Sequence, residues 1–358
     1  MAQTAIKRVY QQLSTHFMLL CGSKSNCERL LLYCHHRGSY IFSRKRQESY
    51  AVRRYSKDVT MTFDPAKAIG YRFPDWSFSY TTRNAILYAL GVGVSTGQCD
   101  NLKFLYEGSD TFSVLPSYAI ITAQKCLDFL MYGEVPGLTN VANINPAKVL
   151  HGEQYLEMHS VMPTAATLRN ECFVADVLDK RSGALVLLDV NTYDDSDNKQ
   201  ISYNQFSIFI VGAGGFGGRK TSDRLKPSIT PPSTSPECTI SQTTSVDQAA
   251  FVHAECRWGP PALHIDPETA KSGGFSGPIL HGLCTLGFAI RHIVQTYGNN
   301  DITKFKATKV RFSKPVYPGQ TIRTNMWRDG NRVHFQCEVT ETKDVVITGA
   351  YVDFHKMD

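Results

Sequence analysis

Among the ten cysteines of this 358-residue chain there is no Cys-x-x-Cys pair and no metal-ligand spacing, which excludes a zinc-ribbon or disulfide framework. They read as reduced thiols of an intracellular protein. No apolar run reaches the roughly 20 residues of a membrane span, so no membrane-spanning segment is expected. Nucleic-acid-binding patterns are absent too. The formal charge of +6 is unevenly placed: the first 57 residues hold eleven Lys/Arg against two acids, which leaves the remainder at −3. A globular part of that sign lacks the basic surface that a nucleic-acid partner needs. Nor is there a dinucleotide-binding unit. Gly212-Ala213-Gly214-Gly215-Phe216-Gly217 fits Gly-x-Gly-x-x-Gly after a strand-like run, but residues 219–223 and a proline-rich stretch follow, where a helix N-terminus would have to receive the pyrophosphate. The glycines read as a flexible turn.

What is present is an ordinary apolar and charged composition, enough for one large core or two modest ones. Residues 1–60 form a basic, acid-poor extension. Its composition is that of a mitochondrial transit peptide, with Arg53-Arg54-Tyr55-Ser56 as a processing site, or of a disordered extension. The chain ends His-Lys-Met-Asp, which is no peroxisomal C-terminal tripeptide. Beyond the extension, residues 81–94 read as a helix capped by Thr81 or Thr82 and ended by Gly91 and Gly93. A helical stretch at 119–132 and strands at 167–178, 184–193 and 202–211 complete a first unit, 61–222. A linker at 223–242 carries Pro227, Pro231, Pro232 and Pro236 among Ser and Thr. The second unit, 243–358, repeats the order: a helix, strands at 305–312, 321–327 and 333–339, and a closing strand at 345–354. Helix then antiparallel strands, twice over, indicates an α+β protein of two similar units.

The second unit is organised around residues 263–297. Ile279, Leu283, Leu286, Ile290, Ile293 and Val294 keep the three-to-four spacing of a buried amphipathic helix, with Pro278 at its expected start. His281 and Gly282 then lie where free backbone N–H groups and the positive end of the helix dipole meet a carbonyl oxygen or an anion. Upstream, His264 and Asp266 flank Ile265 before a proline turn and the loop Ser272-Gly273-Gly274-Phe275. A histidine on a segment that feeds a helix N-terminus pairs a proton-transfer group with an oxyanion site. The plainer alternatives are a surface-turn histidine and an ordinary helix cap.

Together these residues carry a resemblance. Leu-His-Ile-Asp-Pro, a glycine-rich loop and Gly-Pro-Ile-Leu-His-Gly-Leu-Cys-Thr-Leu-Gly-Phe-Ala resemble the signature of the hydratase 2 family, the (R)-specific enoyl-CoA hydratases of the MaoC-like hot-dog group. The likeness extends from about Phe73 to the C-terminus. It implies a double hot-dog fold and reversible addition of water to (2E)-enoyl-CoA, giving (3R)-3-hydroxyacyl-CoA in fatty-acyl-CoA β-oxidation. The CoA thioester is the substrate and no cofactor is implied; a homodimer is compatible with the family, as is a peroxisomal location. His264 matches the family's catalytic histidine. Glu107 matches a supporting glutamate of the first half. His151, Gly152 and Lys180 match positions that hold CoA, Gly282 the residue whose N–H meets the thioester carbonyl, and Phe312 an aromatic beside CoA.

The family's catalytic Asp has no counterpart. Counted back from His264 its place falls on Gly259, and counted forward from Gln248 it falls on Arg257, because residues 252–262 are two residues longer than the pattern. Glu255 is the only acid in that segment. Two other classes of function therefore stand beside the enzyme: a catalytically impaired acyl-CoA-binding homologue and a hot-dog thioesterase.

Overall fold

The computed structural model describes residues 63–97, 99–138, 148–255 and 262–357. The basic extension, Arg257 and Gly259 lie outside these. In chain order the first half contains α1 (Pro65–Ala68), β1 (Trp76–Tyr80), α2 (Thr82–Gly91), α3 (Tyr118–Ala123), α4 (Cys126–Tyr132), β2 (Val149–Met158), β3 (Ala166–Asp179), β4 (Gly183–Asp194) and β5 (Gln200–Val211). The second contains β6 (Cys238–Thr243), α5 (Gln248–Glu255), α6 (Ala262–Ile265), α7 (Pro267–Ser272), α8 (Gly282–Gly298), β7 (Phe305–Phe312), β8 (Thr321–Asp329), β9 (Arg332–Val339) and β10 (Val345–Phe354).

The strands form one antiparallel sheet in the order β1-β3-β4-β5-β2-β7-β10-β9-β8-β6. Numbered within its own half and read inward from each edge, each half has the same order, first-third-fourth-fifth-second. The two second strands, β2 and β7, meet at the seam from Glu153↔Arg311 to Glu157↔Ala307. That shared order is the internal repeat expected of two hot-dog units lying side by side. One contiguous apolar core spans both halves on the face where the helices pack. α8 is its centre: Leu286, Ile290 and Ile293 have no exposed surface, which is what a stripe at helical spacing buries.

The expected strands are present with slightly longer bounds, and α2 begins after Thr81, whose N–H is accepted by the Asn84 side chain at 3.0 Å. Three differences matter. The stretch 119–132 is two short helices, not one. The major helix begins at Gly282, not at Pro278, because the preceding backbone is committed elsewhere: Leu280 N–H donates to the Val316 carbonyl at 2.7 Å, and the Ile279 carbonyl accepts from His264. Lastly, the proline-rich stretch is not a loose connector. Residues 219–237 cross the sheet face opposite the core, held by Asp179 N–H to the Arg219 carbonyl, Ile229 N–H to the Gly349 carbonyl and Glu237 N–H to the Met326 carbonyl. Lys226 sits over the Tyr155 and Tyr203 rings at 4.9 and 5.4 Å, and residues 238–242 belong to strand β6.

The glycine-rich run after β5 has a role of its own. Gly215 and Gly217 N–H groups donate to the Asp179 carboxylate, each at 2.9 Å, as does Arg181 N–H at 2.8 Å. These bonds, led by Gly215, hold the Asp179 carboxyl below its usual range. The φ values of Gly212, Gly215 and Gly217 lie between 79° and 86°, backbone that glycine adopts at little cost. The turn thus wraps a carboxylate of the protein itself, and no helix follows it.

Candidate active site

Gly282 opens α8, with His281 as its N-cap and no side chain capping the first turn. The leading N–H groups of the helix therefore have no intrahelical acceptor. Close to this point α6 places His264. Its Nδ1 lies 2.8 Å from the Ile279 carbonyl; since a carbonyl only accepts, Nδ1 carries the proton and Nε2 keeps its lone pair. Burial holds the His264 imidazole below its ordinary pKa, opposed by the Ile279 bond. At neutral pH it is a neutral base. Its ring lies on the ring of His281, with centroids 3.5 Å apart and planes 25° apart. Burial, with His264 and His253 adding to it, pushes His281 well below the ordinary range.

A cavity of about 420 Å³ runs from this pair toward the first half of the molecule. His264, His281 and Gly282 line it, as do Phe312 at the end of β7 and His151 on β2. A Cβ built on Gly282 would stand 3.0 Å from Phe312 Cδ1. Hydrogen is what allows a flat ring so near the helix start. The remaining wall is largely apolar, with Leu127, Leu130 and Met131 of α4, Leu150 and Ile208.

His151 is held in one tautomer. Gln154 Nε2 donates to the Tyr155 carbonyl at 2.8 Å and to Asn204 Oδ1 at 3.0 Å. Its Oε1, 3.0 Å from His151 Nε2, is therefore the acceptor. Burial lowers the His151 pKa to about 4, so this imidazole too is neutral near pH 7, with its edge toward Phe312 at 5.3 Å between centroids.

Four of the expected site residues, His264, His151, Gly282 and Phe312, thus come together on one cavity. Gly152 follows His151 at a bulge in β2. Glu107 is exposed on a turn, and Lys180 lies in the β3–β4 turn with Nζ 2.6 Å from the Lys220 carbonyl; neither lines the cavity. Gly259 falls outside the described residues. Asp266, which flanks His264 in sequence, caps α7 instead. Its carboxylate accepts from Thr269 Oγ1 at 2.6 Å and from Thr269 and Glu268 N–H, bonds that hold it below the usual carboxylate range. Sequence reasoning had placed His281 only as a helix-start residue and had passed over His253. Periodicity carries no signal for ring stacking, and the His-Gly pair before α8 was the one visible hint.

The chain resembles known proteins over both halves. Residues 78–212 match the model of the MFE-2 hydratase 2 N-terminal domain, and residues 230–350 match that of the MaoC like domain. Mouse peroxisomal multifunctional enzyme type 2 is 51% identical over 286 residues, which cover 80% of this chain and 38% of that protein. The Drosophila melanogaster protein of the same name is 41% identical over 77% of this chain and 46% of its own length, so the chain spans less than half of these multifunctional relatives. A probable enoyl-CoA hydratase 2 of Dictyostelium discoideum is 39% identical over 75% of this chain and 88% of that protein. Among solved structures, the full-length Drosophila multifunctional enzyme superposes with a TM-score of 0.68 at 38% identity, covering 78% of this chain and 48% of that one. The MaoC-like dehydratase from Phytophthora capsici superposes with a TM-score of 0.73 at 31% identity, covering 82% and 98%. With a repeated hot-dog strand order, a histidine set against a helix start and likeness along both halves, the chain belongs to the enoyl-CoA hydratase 2 family, the hydratase portion of peroxisomal multifunctional enzyme type 2.

Proposed function

We propose that this chain binds (2E)-enoyl-CoA thioesters in the 420 Å³ cavity and hydrates them to (3R)-3-hydroxyacyl-CoA in peroxisomal β-oxidation. The observation that carries this reading is His264, with Nδ1–H on the Ile279 carbonyl, on the same cavity wall as the uncapped start of α8. Nε2 of His264 takes a proton from water as the water oxygen adds to C3. The thioester oxygen gains negative charge as the C2–C3 π electrons move toward the carbonyl, and the Gly282 N–H and the helix dipole stabilise it. The proton on Nε2 then passes to C2, the enolate collapses and the imidazole is again neutral. One molecule of water is added and nothing is oxidised, so the step as written balances without a redox cofactor.

In the same reading the apolar wall on α4 takes the acyl chain, Phe312 and His151 lie along CoA, and Lys180 meets a CoA phosphate with the ammonium protons that the Lys220 carbonyl leaves free. Glu107 is assigned a supporting role.

Arg257 or Gly259 standing at the place of the family's Asp favours a second reading, an acyl-CoA-binding homologue of low turnover. Lack of one positioned acid or base typically costs about 10²–10⁴-fold in rate. Binding is common to both readings. Titration calorimetry with (2E)-enoyl-CoA is expected to show saturable binding, weakened in Lys180→Ala by about 1–3 kcal/mol for a lost charge-assisted bond. Absence of binding by the unaltered chain would overturn both.

A further inference from the structure

Three imidazoles gather near the start of α8. The ring of His281 lies 3.5 Å from that of His264 and 6.5 Å from that of His253 on α5, the latter with its plane 13° from that of His281. His281 is only 8% exposed, and its Nδ1 has no hydrogen-bond partner; the same holds for Nδ1 of His253. A buried ring nitrogen without a partner is a cost that native structures rarely carry without a use. Among the described residues no polar partner meets that nitrogen, and the N-cap role of His281 is met by its backbone carbonyl, which accepts from Cys284 N–H at 2.9 Å.

What the ring offers the site is its face, toward His264. Among the described residues His264 makes one ring hydrogen bond, to the Ile279 carbonyl. A single bond holds the Nδ1–H tautomer only while the ring stays aligned with that carbonyl, and by itself it leaves the ring free to swing away, whereas proton transfer requires Nε2 to be aimed. The face of His281 removes that freedom. The ring and the carbonyl that hold His264 both come from residues 279–281, pinned by Leu280 N–H on the Val316 carbonyl at 2.7 Å, so one short segment grips the imidazole by edge and by face. When Nε2 takes a proton, the imidazolium formed lies against the π face of a neutral ring, a favourable cation–π contact in a dry site. Burial holds His281 further below the ordinary imidazole range than His264, so the new proton stays on His264.

We propose that His281 is a positioning residue for proton transfer, its flat ring holding the His264 imidazole in plane with Nε2 free for the substrate. The proposal rests on the hydratase reading for its kinetic consequence but not for its structural one. Its test therefore has two arms. In the full chain labelled with ¹⁵N-histidine, His264 is expected to show a single tautomer protonated at Nδ1. That state should persist in His281→Phe, which keeps a flat ring, and become a mixture in His281→Leu, which does not. In the hydration assay, His281→Leu is expected to lower kcat about 10²-fold, the scale of a misplaced catalytic group, with KM little changed, and His281→Phe to recover most of the loss. Thermal melts of both variants report folding, and the comparison uses variants that melt as the unaltered chain does. A His281→Leu chain that keeps both kcat and the single tautomer would overturn the proposal, as would a Phe variant as impaired as the Leu one. A chain that hydrates nothing yet shows the tautomer pattern would refute the hydratase reading alone.

Discussion

In the proposed hydration, His264 and Gly282 divide the chemistry at the residue scale: one would move the proton, and the other would leave space and an N–H for the charge that develops. The space is measurable, because a Cβ on Gly282 would meet Phe312 Cδ1 at 3.0 Å and Cε1 at 3.2 Å. Gly282→Ala must push the ring by a few tenths of an ångström toward the cavity. It is expected to raise KM for enoyl-CoA several-fold while the melting temperature stays near that of the unaltered chain, since φ at the first turn of a helix suits alanine; steady-state kinetics and a thermal melt check both halves. His264 and Gly282 were legible in the sequence because a motif fixes their spacing, whereas His151 and Phe312 came only from the family resemblance. The stacked ring of His281 and the buried nitrogen of His253 were not, because they depend on α5 and α6 folding back on the start of α8. Asp266, which flanks Ile265 with His264, meets a local need: as an Asx residue before a proline turn it is the N-cap of α7.

Elements were legible wherever their pattern was periodic. Strands β3, β4, β5 and β7 to β10 carry runs of apolar and β-branched residues and were found, while β1, β2 and β6 were not. β2 lies at the centre of the sheet, yet it reads Val-Leu-His-Gly-Glu-Gln-Tyr-Leu-Glu-Met with a bulge between His151 and Glu153. Its alternation is broken at the bulge and along the seam with β7. β6 was hidden in proline-rich sequence because an edge strand pairs on one side only, with β8. The glycine turn after β5 offers an element-scale test. Three backbone N–H groups hold the buried Asp179 carboxyl below its usual range. A carboxylate depressed in the folded state contributes stability above its unfolded pKa near 3.9 and loses it as pH falls through the folded value. Asp179→Asn is therefore expected to lower the melting temperature at pH 7 and to flatten its fall below about pH 4. Melting curves from pH 7 down to 3 that coincide for the two chains would show that the turn does not depend on the charge.

For the whole molecule, the two halves repeat one strand order and share one core, and their seam is closed by a polar contact: Lys309, with no exposed side-chain surface, pairs with Glu153 at 2.7 Å across β2 and β7. The repeat was legible from helix-then-strand order alone. That the proline-rich connector crosses the sheet as a strap was not, because its contacts are backbone carbonyls and aromatic faces supplied by both halves. The cavity is lined by both halves, with His264, His281 and Gly282 from the second and an apolar wall from the first. Its catalytic power is settled by one assay: (2E)-enoyl-CoA is incubated with the unaltered chain, with His264→Ala, and with a chain in which Tyr-Arg-Leu-Ser-Gly-Asp-x-Asn-Pro replaces residues 252–262, and the 3-hydroxyacyl-CoA formed is resolved by configuration. The expected result is slow formation of the (3R) product by the unaltered chain, its loss in His264→Ala, and a gain of about 10²–10⁴-fold on restoring the carboxylate. Formation of the (3S) product, release of free CoA in place of hydration, or full activity indifferent to His264→Ala would contradict a hydratase built on this histidine.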